Sequence, residues 1–452
     1  MTKEIFTPAR QPEKDGAGNQ SCRPDGRTAG QCCSGLPPNL KDKTWPISPY
    51  TDPRFKGEGI KKFLQLRAGY EKSAFVSEGH VQVRRLGPSS FTKPIPAGEC
   101  AITALVRGQS GKIYGGTSGK RAHMFFYDPS PDADVAVDIG VVGENMRITG
   151  LVADERIYGT AEGGGKGVLF SYSPCEALLK ELDTSGKGVR EIFDLPVEDQ
   201  MFHSIVDPCH SSGKIEILAE LPEGAASLVI DKRRKTIYGL ASRNGLFFSY
   251  SPASKSLEAK GRVDPLGEFS PKLFIDGGTG TVYGAAGCGR IFKYEPDTGR
   301  VEDTPFALPS LKGREAYNRV DAWTQDGQSG LIYGGTIDGI LFAFDPRAGD
   351  IRCLGKPIDQ MRVRALAVGN DGRVFGVGGE PGKCCHLFVY EPERHELRDL
   401  GVLLATMETP WYGYEIDCAV TGRDGEIYFG ESDRISNLFI YYPPIARRAP
   451  AS

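Results

Sequence analysis

Apolar residues along this chain fall in short alternating runs, the period of a half-buried strand, with little of the three-to-four spacing that marks a helix. The stretch GLIYGGTIDGILFAFDP, from Gly330 to Pro346, sets the pattern. It reads as two strands of β-branched and aromatic residues joined by a Gly-containing turn. Pro346 stops the second strand because it has no N–H to give to the ladder. Nearly the same phrase recurs as KIYGGTSGKRAHMFFYDP, RIYGTAEGGGKGVLFSYSP, TIYGLASRNGLFFSYSP, TVYGAAGCGRIFKYEP, RVFGVGGEPGKCCHLFVYEP and EIYFGESDRISNLFIYYPP.

The aromatic after the first aliphatic falls at Tyr114, Tyr158, Tyr238, Tyr283, Tyr333, Phe375 and Tyr428. Five of the six gaps span 42 to 53 residues, and the gap from Tyr158 to Tyr238 is 80. An apolar strand precedes each copy, as in VRALAVGNDG, and an alternating strand follows it, as in HELRDLGVL. Four strands at a period in the forties predict one blade of a propeller per repeat. The expected fold is therefore all-β: a seven-bladed β-propeller with four antiparallel strands per blade.

A ring must close, or its end blades expose bare faces and edges. The seventh copy ends at Pro443 with no fourth strand after it, while GHVQVRRLGP near Gly79–Gly87 matches the fourth-strand pattern. This N-terminal strand is expected to complete the last blade. Residues 75–443 form the propeller domain on this reading. Residues 1–60, rich in Pro, Gly and polar side chains, are expected to be a flexible arm, and 444–452 a loose tail. The long gap is read as an insertion in blade two, about 175–215, carrying His203 and His210. An eighth blade is the alternative, and the gap holds no further IYG/LF copy.

Composition narrows the function classes. A net charge of −3 with 25% charged residues offers no basic field for nucleic acid. No apolar run reaches the ~18 residues of a membrane span, and the first twenty residues lack a secretory core, so a soluble cytoplasmic protein is expected. Eleven cysteines without an export signal suggest reduced thiols. There is no phosphate-binding Gly loop opening a helix and no GxSxG elbow. Cys384-Cys385-His386 and Cys288 lack a matching ligand set, so no metal site is assigned to them.

With this strand order, connections entering the innermost strand and those between the second and third strands open on one face. Just before or at the start of innermost strands stand Glu99, Arg147, Lys272, Arg319, Arg362 and Glu415. Further along the same side of each strand come Thr103, Thr149, Asp321, Arg364 and Asp417. Guanidinium forks converging on an axis suit a carboxylate, sulfate or phosphate. The structural alternative is that Arg147, Arg319 and Arg362 pair with Asp321, Glu415 and Asp417 and plug the channel. His123, Arg290, His386 and Asn437 stand in register before third strands, where a His could carry protons or merely cap a hairpin. Trp411, Tyr412 and Tyr414 in ETPWYGYE, with Tyr317, are expected to be aromatic surfaces at the mouth, for sugar rings or protein side chains.

The motif G-x-[IV]-Y-G…[LI]-F-x-[YF]-[DES]-P resembles seven-bladed β-propellers with kelch, NHL and lactonase-like blades, over about residues 75–443. The charged, aromatic mouth also looks like propeller polysaccharide lyases acting on uronic acids. That likeness implies Arg147, Arg319 or Arg362 for the uronate carboxylate, and His123, His386, Tyr317 or Tyr414 for proton transfer. Binding of an acidic, uronate-containing oligosaccharide, with lyase-type cleavage, is the leading expectation. No cofactor is required for it. The alternatives are a hydrolase using Asp321, Glu415 and Asp417, as an acid/base pair or around a divalent ion at the axial mouth, and a non-catalytic scaffold binding a protein on the rim.

Overall fold

The computed structural model describes residues 76–86, 95–96, 98–130, 134–174, 214–264, 266, 268–405, 411–433 and 436–445. The arm expected over 1–60, His203 and His210, and all of the tail beyond 445 lie outside the described residues.

Seven four-stranded antiparallel units follow one another along the chain, spanning 101–144, 147–221, 227–262, 274–307, 320–355, 363–402 and 416–442. The seventh unit supplies three strands of its own. Its fourth is His80–Arg85, paired antiparallel with Asn437–Tyr442 in the register Val81↔Tyr441 and Val83↔Phe439. Val81 and Val83 are buried, so the closing strand has an apolar face turned inward. The innermost strand of blade seven, Ile416–Thr421, lies beside that of blade one, Ala101–Arg107, and the ring is closed. In blade two the third strand, Lys166–Tyr172, pairs with Ile215–Leu221. Residues 175–213, outside the described residues, are thus bracketed by two paired strands of one blade.

The repeat motif divides its work between two contacts. Its Gly lies under the Phe ring of the neighbouring third strand. A Cβ on Gly115 would stand 2.1 Å from the Phe125 ring, and one on Gly334 2.1 Å from Phe342. The same approach recurs in blades two, three, four and six. Only a residue without a side chain lets the ring lie flat on the sheet. The seventh copy departs from this, with buried Phe429 opposite Phe439.

The motif's Tyr makes the second contact, across the blade boundary. Tyr114 packs on Tyr172 of blade two at 6.0 Å between ring centroids, Tyr238 on Tyr294 at 5.2 Å, and Tyr333 on Tyr390 at 6.0 Å. At the closure, Tyr428 of blade seven meets Tyr127 of blade one at 5.7 Å. Each partner is the aromatic just before the motif's terminal acidic or Ser residue and Pro, so every copy is half of two interfaces. Side chains also tie adjacent innermost strands together. The Thr103 hydroxyl donates to the Ile148 carbonyl at 2.6 Å, and that of Thr421 to the Val368 carbonyl at 2.7 Å.

Candidate functional site at the axial mouth

Innermost strands run side by side around the axis, so residues far apart in sequence meet at their starts. Arg362, just before Val363–Val368, grips Asp321 of blade five with both arms of a fork, Nε–Oδ2 at 2.8 Å and Nη2–Oδ1 at 3.0 Å. The Asp321 carboxylate raises the Arg362 guanidinium above its ordinary value, against burial. Arg362 does this at φ 70°, a left-handed backbone that favours glycine.

Arg364, two residues on, is 7% exposed. It donates Nε to the Ile416 carbonyl at 2.9 Å and Nη2 to Asp417. Arg147, opening the innermost strand of blade two, reaches the other oxygen of Asp417 at 3.3 Å. Burial alone would push the Asp417 carboxyl up, but Arg364 and then Arg147 hold it below the usual carboxylate range. Asp417 therefore stays ionised between two cations.

The remaining cations are less committed. The Arg147 side chain is 50% exposed and its bond to Asp417 is long. Lys272 is half-buried just before Phe274–Ile275, and among the described residues its ammonium has no hydrogen bond or ion pair. Lys272 lines a cavity of about 240 Å³ together with Asp321, Trp323, Arg364, Asp417 and Cys418. Arg319 is half-buried just before the innermost strand of blade five, and its Nη1 is buried without a partner. Five cations (Arg147, Lys272, Arg319, Arg362, Arg364) thus stand at or near the starts of innermost strands, with three carboxylates, Asp321, Glu415 and Asp417. Two of the carboxylates are already held by arginines.

Both predicted histidines sit further from the axis, on third strands, and each is held by a carboxylate of its own blade. His123 is 3% exposed, with Nδ1 3.1 Å from Asp138 and Nε2 3.0 Å from Glu99. Arg121 caps Glu99 at 3.0 Å. His386 places Nδ1 2.9 Å from Asp399. Arg290 makes the same contact with Asp303 in blade four. In all three blades the Asp faces the Phe two residues beyond, as Phe125↔Asp138, Phe292↔Asp303 and Phe388↔Asp399, which identifies a repeated staple between third and outermost strands.

The aromatic cluster corrects the expected exposed surface. Trp411 and Tyr412 are 6% and 4% exposed, in a two-stranded ribbon with Leu404–Ala405. The Arg85 guanidinium lies 4.5 Å over the Trp411 ring, covering the face a ligand would need. Tyr414 is half-buried, and its backbone N–H donates to Glu431 at 3.0 Å. Tyr317 alone of the four is open, 67% exposed on a 3-10 turn. Glu415 is half-buried, and its carbonyl accepts the Ser432 N–H at 2.7 Å. Among the described residues no three His, Cys, Asp or Glu side chains stand together as a metal-ligand set. Beside His386, burial pushes the Cys385 thiol up to about 12.

No family model matches the chain, and no curated protein matches it. Solved structures do. Streptogramin B lyase aligns with a TM-score of 0.56 at 12% identity, over 81% of this chain and 98% of that one. A catalytically inactive virginiamycin B lyase from Staphylococcus aureus, solved with quinupristin, aligns at 0.54 and 8% identity, over 80% and 100%. The extracellular domain of the putative hybrid two-component system BT4673 from B. thetaiotaomicron aligns at 0.52 and 13% identity, over 81% of this chain and 40% of that one. At such identities the likeness is one of fold: the β-propeller. No helix among the described residues is long and apolar enough to cross a membrane.

Proposed function

We propose that the axial mouth binds an acidic, uronate-containing oligosaccharide. The observation that carries this reading is the charge imbalance at the strand starts. Asp321 is saturated by Arg362 and Asp417 is shared by Arg364 and Arg147, yet Lys272 has no counter-ion and Arg147 is half open. Unpaired cations grouped in one place repel each other and favour an anionic ligand. A carboxylate matches the guanidinium fork and takes charge-assisted hydrogen bonds. Lyase-type cleavage would in addition need a base beside the uronate; His123 has both ring nitrogens on carboxylates, whereas His386 is held at Nδ1 alone.

Titration calorimetry of the full chain against uronate oligomers and neutral oligomers of equal length tests this. The acidic series should bind and the neutral series should not, with Arg147→Met weakening the acidic ligand about tenfold. Equal binding of the two series, or none by either, sinks the proposal. An ultraviolet signal from unsaturated uronate would instead extend it to a lyase.

A further inference from the structure

We infer that the axial site recognises two acidic groups on one ligand, read separately by Arg147 and Lys272, so that consecutive uronates bind where a single one is held poorly. The inference rests on the acidic-ligand reading and adds the number and placement of its charges.

The four axial cations nearest Asp321 and Asp417 divide by what their donors already do. Arg362 spends its fork on Asp321. Arg364 is buried and spends its donors on Ile416 and Asp417. Neither can turn to a ligand without giving up bonds to a partly buried carboxylate. Arg147 gives a single long bond and keeps most of its five N–H groups for solvent or ligand. Lys272 keeps all three.

These two free cations are not neighbours in the ring. Arg147 opens blade two and Lys272 precedes the innermost strand of blade four. Blade three stands between them. Before its own innermost strand, Ser227–Asp231, it contributes Ala225 and Ala226 and no cation, and Glu162 of blade two accepts the Ala225 N–H at 3.2 Å there. Lys272 and Asp417 line the same cavity, and Arg147 bonds to Asp417 at 3.3 Å, so both cations border one space. Two positive points separated by a blade entry that holds no cation, with the Glu162 carboxylate beside it, suit a ligand with two separated carboxylates. One carboxylate can satisfy only one point and leaves the other cation unpaired.

The test uses the full chain and four probes: galacturonate, digalacturonate, digalactose, and a linear dicarboxylate of similar span. Digalacturonate should bind at least about tenfold tighter than galacturonate, because each added charge-assisted contact is worth roughly that factor. Lys272→Met and Arg147→Met should each abolish this advantage while leaving the monouronate bound through the other cation. Added salt should weaken digalacturonate more steeply than galacturonate. Equal affinities for the two uronates, unchanged in both variants, overturn the two-point inference and leave the acidic-ligand reading standing. Failure of both uronates overturns the reading itself. Binding of the dicarboxylate as tightly as digalacturonate assigns recognition to the charges and not to the sugar rings. Circular dichroism of both variants guards against misfolding, and Lys272→Arg should restore the advantage if charge is what matters.

Discussion

At the residue scale, His123 shows how a feature that suggests catalysis can instead hold a blade. Both ring nitrogens face carboxylate oxygens, which only accept hydrogen bonds, so both must carry protons. Burial works against that charge, but Asp138 and then Glu99 outweigh it and raise the imidazole above its ordinary value. Arg121 and the Thr117 hydroxyl, which accepts the His123 N–H at 2.9 Å, complete its surroundings. With a folded value above the unfolded ~6.5, the stabilisation is complete below that pH and fades as pH rises through the folded value. Thermal unfolding from about pH 6 to about pH 9 should therefore show the wild type losing stability on the alkaline side, and His123→Gln losing less. At pH 6 the variant should be less stable by about 3 kcal/mol, since two buried carboxylates lose their shared cation. Parallel pH profiles would refute the account. The sequence placed His123 at the correct end of its strand. It did not show distance from the axis, because a third-strand start and an innermost-strand start share a face but not a radius. The arginines at innermost-strand starts were legible for the converse reason: topology alone brings them to the axis. The burial of Trp411 could not be read locally, since its cover, Arg85, belongs to the closing strand far away in sequence.

At the element scale, the hairpin was legible because its signals agree. Alternation gives the strand, Gly the turn, and Pro the end. What the Gly is for becomes clear only in the sheet, where the Phe ring of the adjacent strand occupies the space of a side chain. Gly334→Ala should destabilise the protein by about 1–3 kcal/mol, as overpacking does, because a Cβ would sit 2.1 Å from the Phe342 ring. Chemical denaturation measures this. Phe342→Leu in the same background should recover part of the loss by clearing that space, whereas Gly372→Ala is a different case. Gly372 has nothing within 4 Å of its Cβ position but sits at φ 83°, so its cost is backbone strain that no neighbouring substitution relieves.

At the scale of the whole molecule, stability depends on closing a circle with an aromatic pair like those at the internal joins, such as Tyr114–Tyr172 and Tyr283–Phe344. The Tyr428–Tyr127 pair at the closure has the same geometry as the pairs within the ring, 5.7 Å against 6.0 Å for Tyr114–Tyr172. It differs in one respect: its partners are far apart in sequence, so forming it costs more loop entropy than any internal join. Once both are formed, the two pairs should contribute alike. Double-mutant cycles with Tyr→Leu at 127 and 428, and at 114 and 172, should each give a coupling of about 0.5–1.5 kcal/mol. Kinetics should separate them. The internal pair, joining consecutive blades, can form early and should affect the folding rate. The closing pair needs the whole ring and should act mainly on the unfolding rate. If Tyr428→Leu slowed folding as much as Tyr114→Leu, the ring would be nucleated at its closure, and the blades would not be added in chain order.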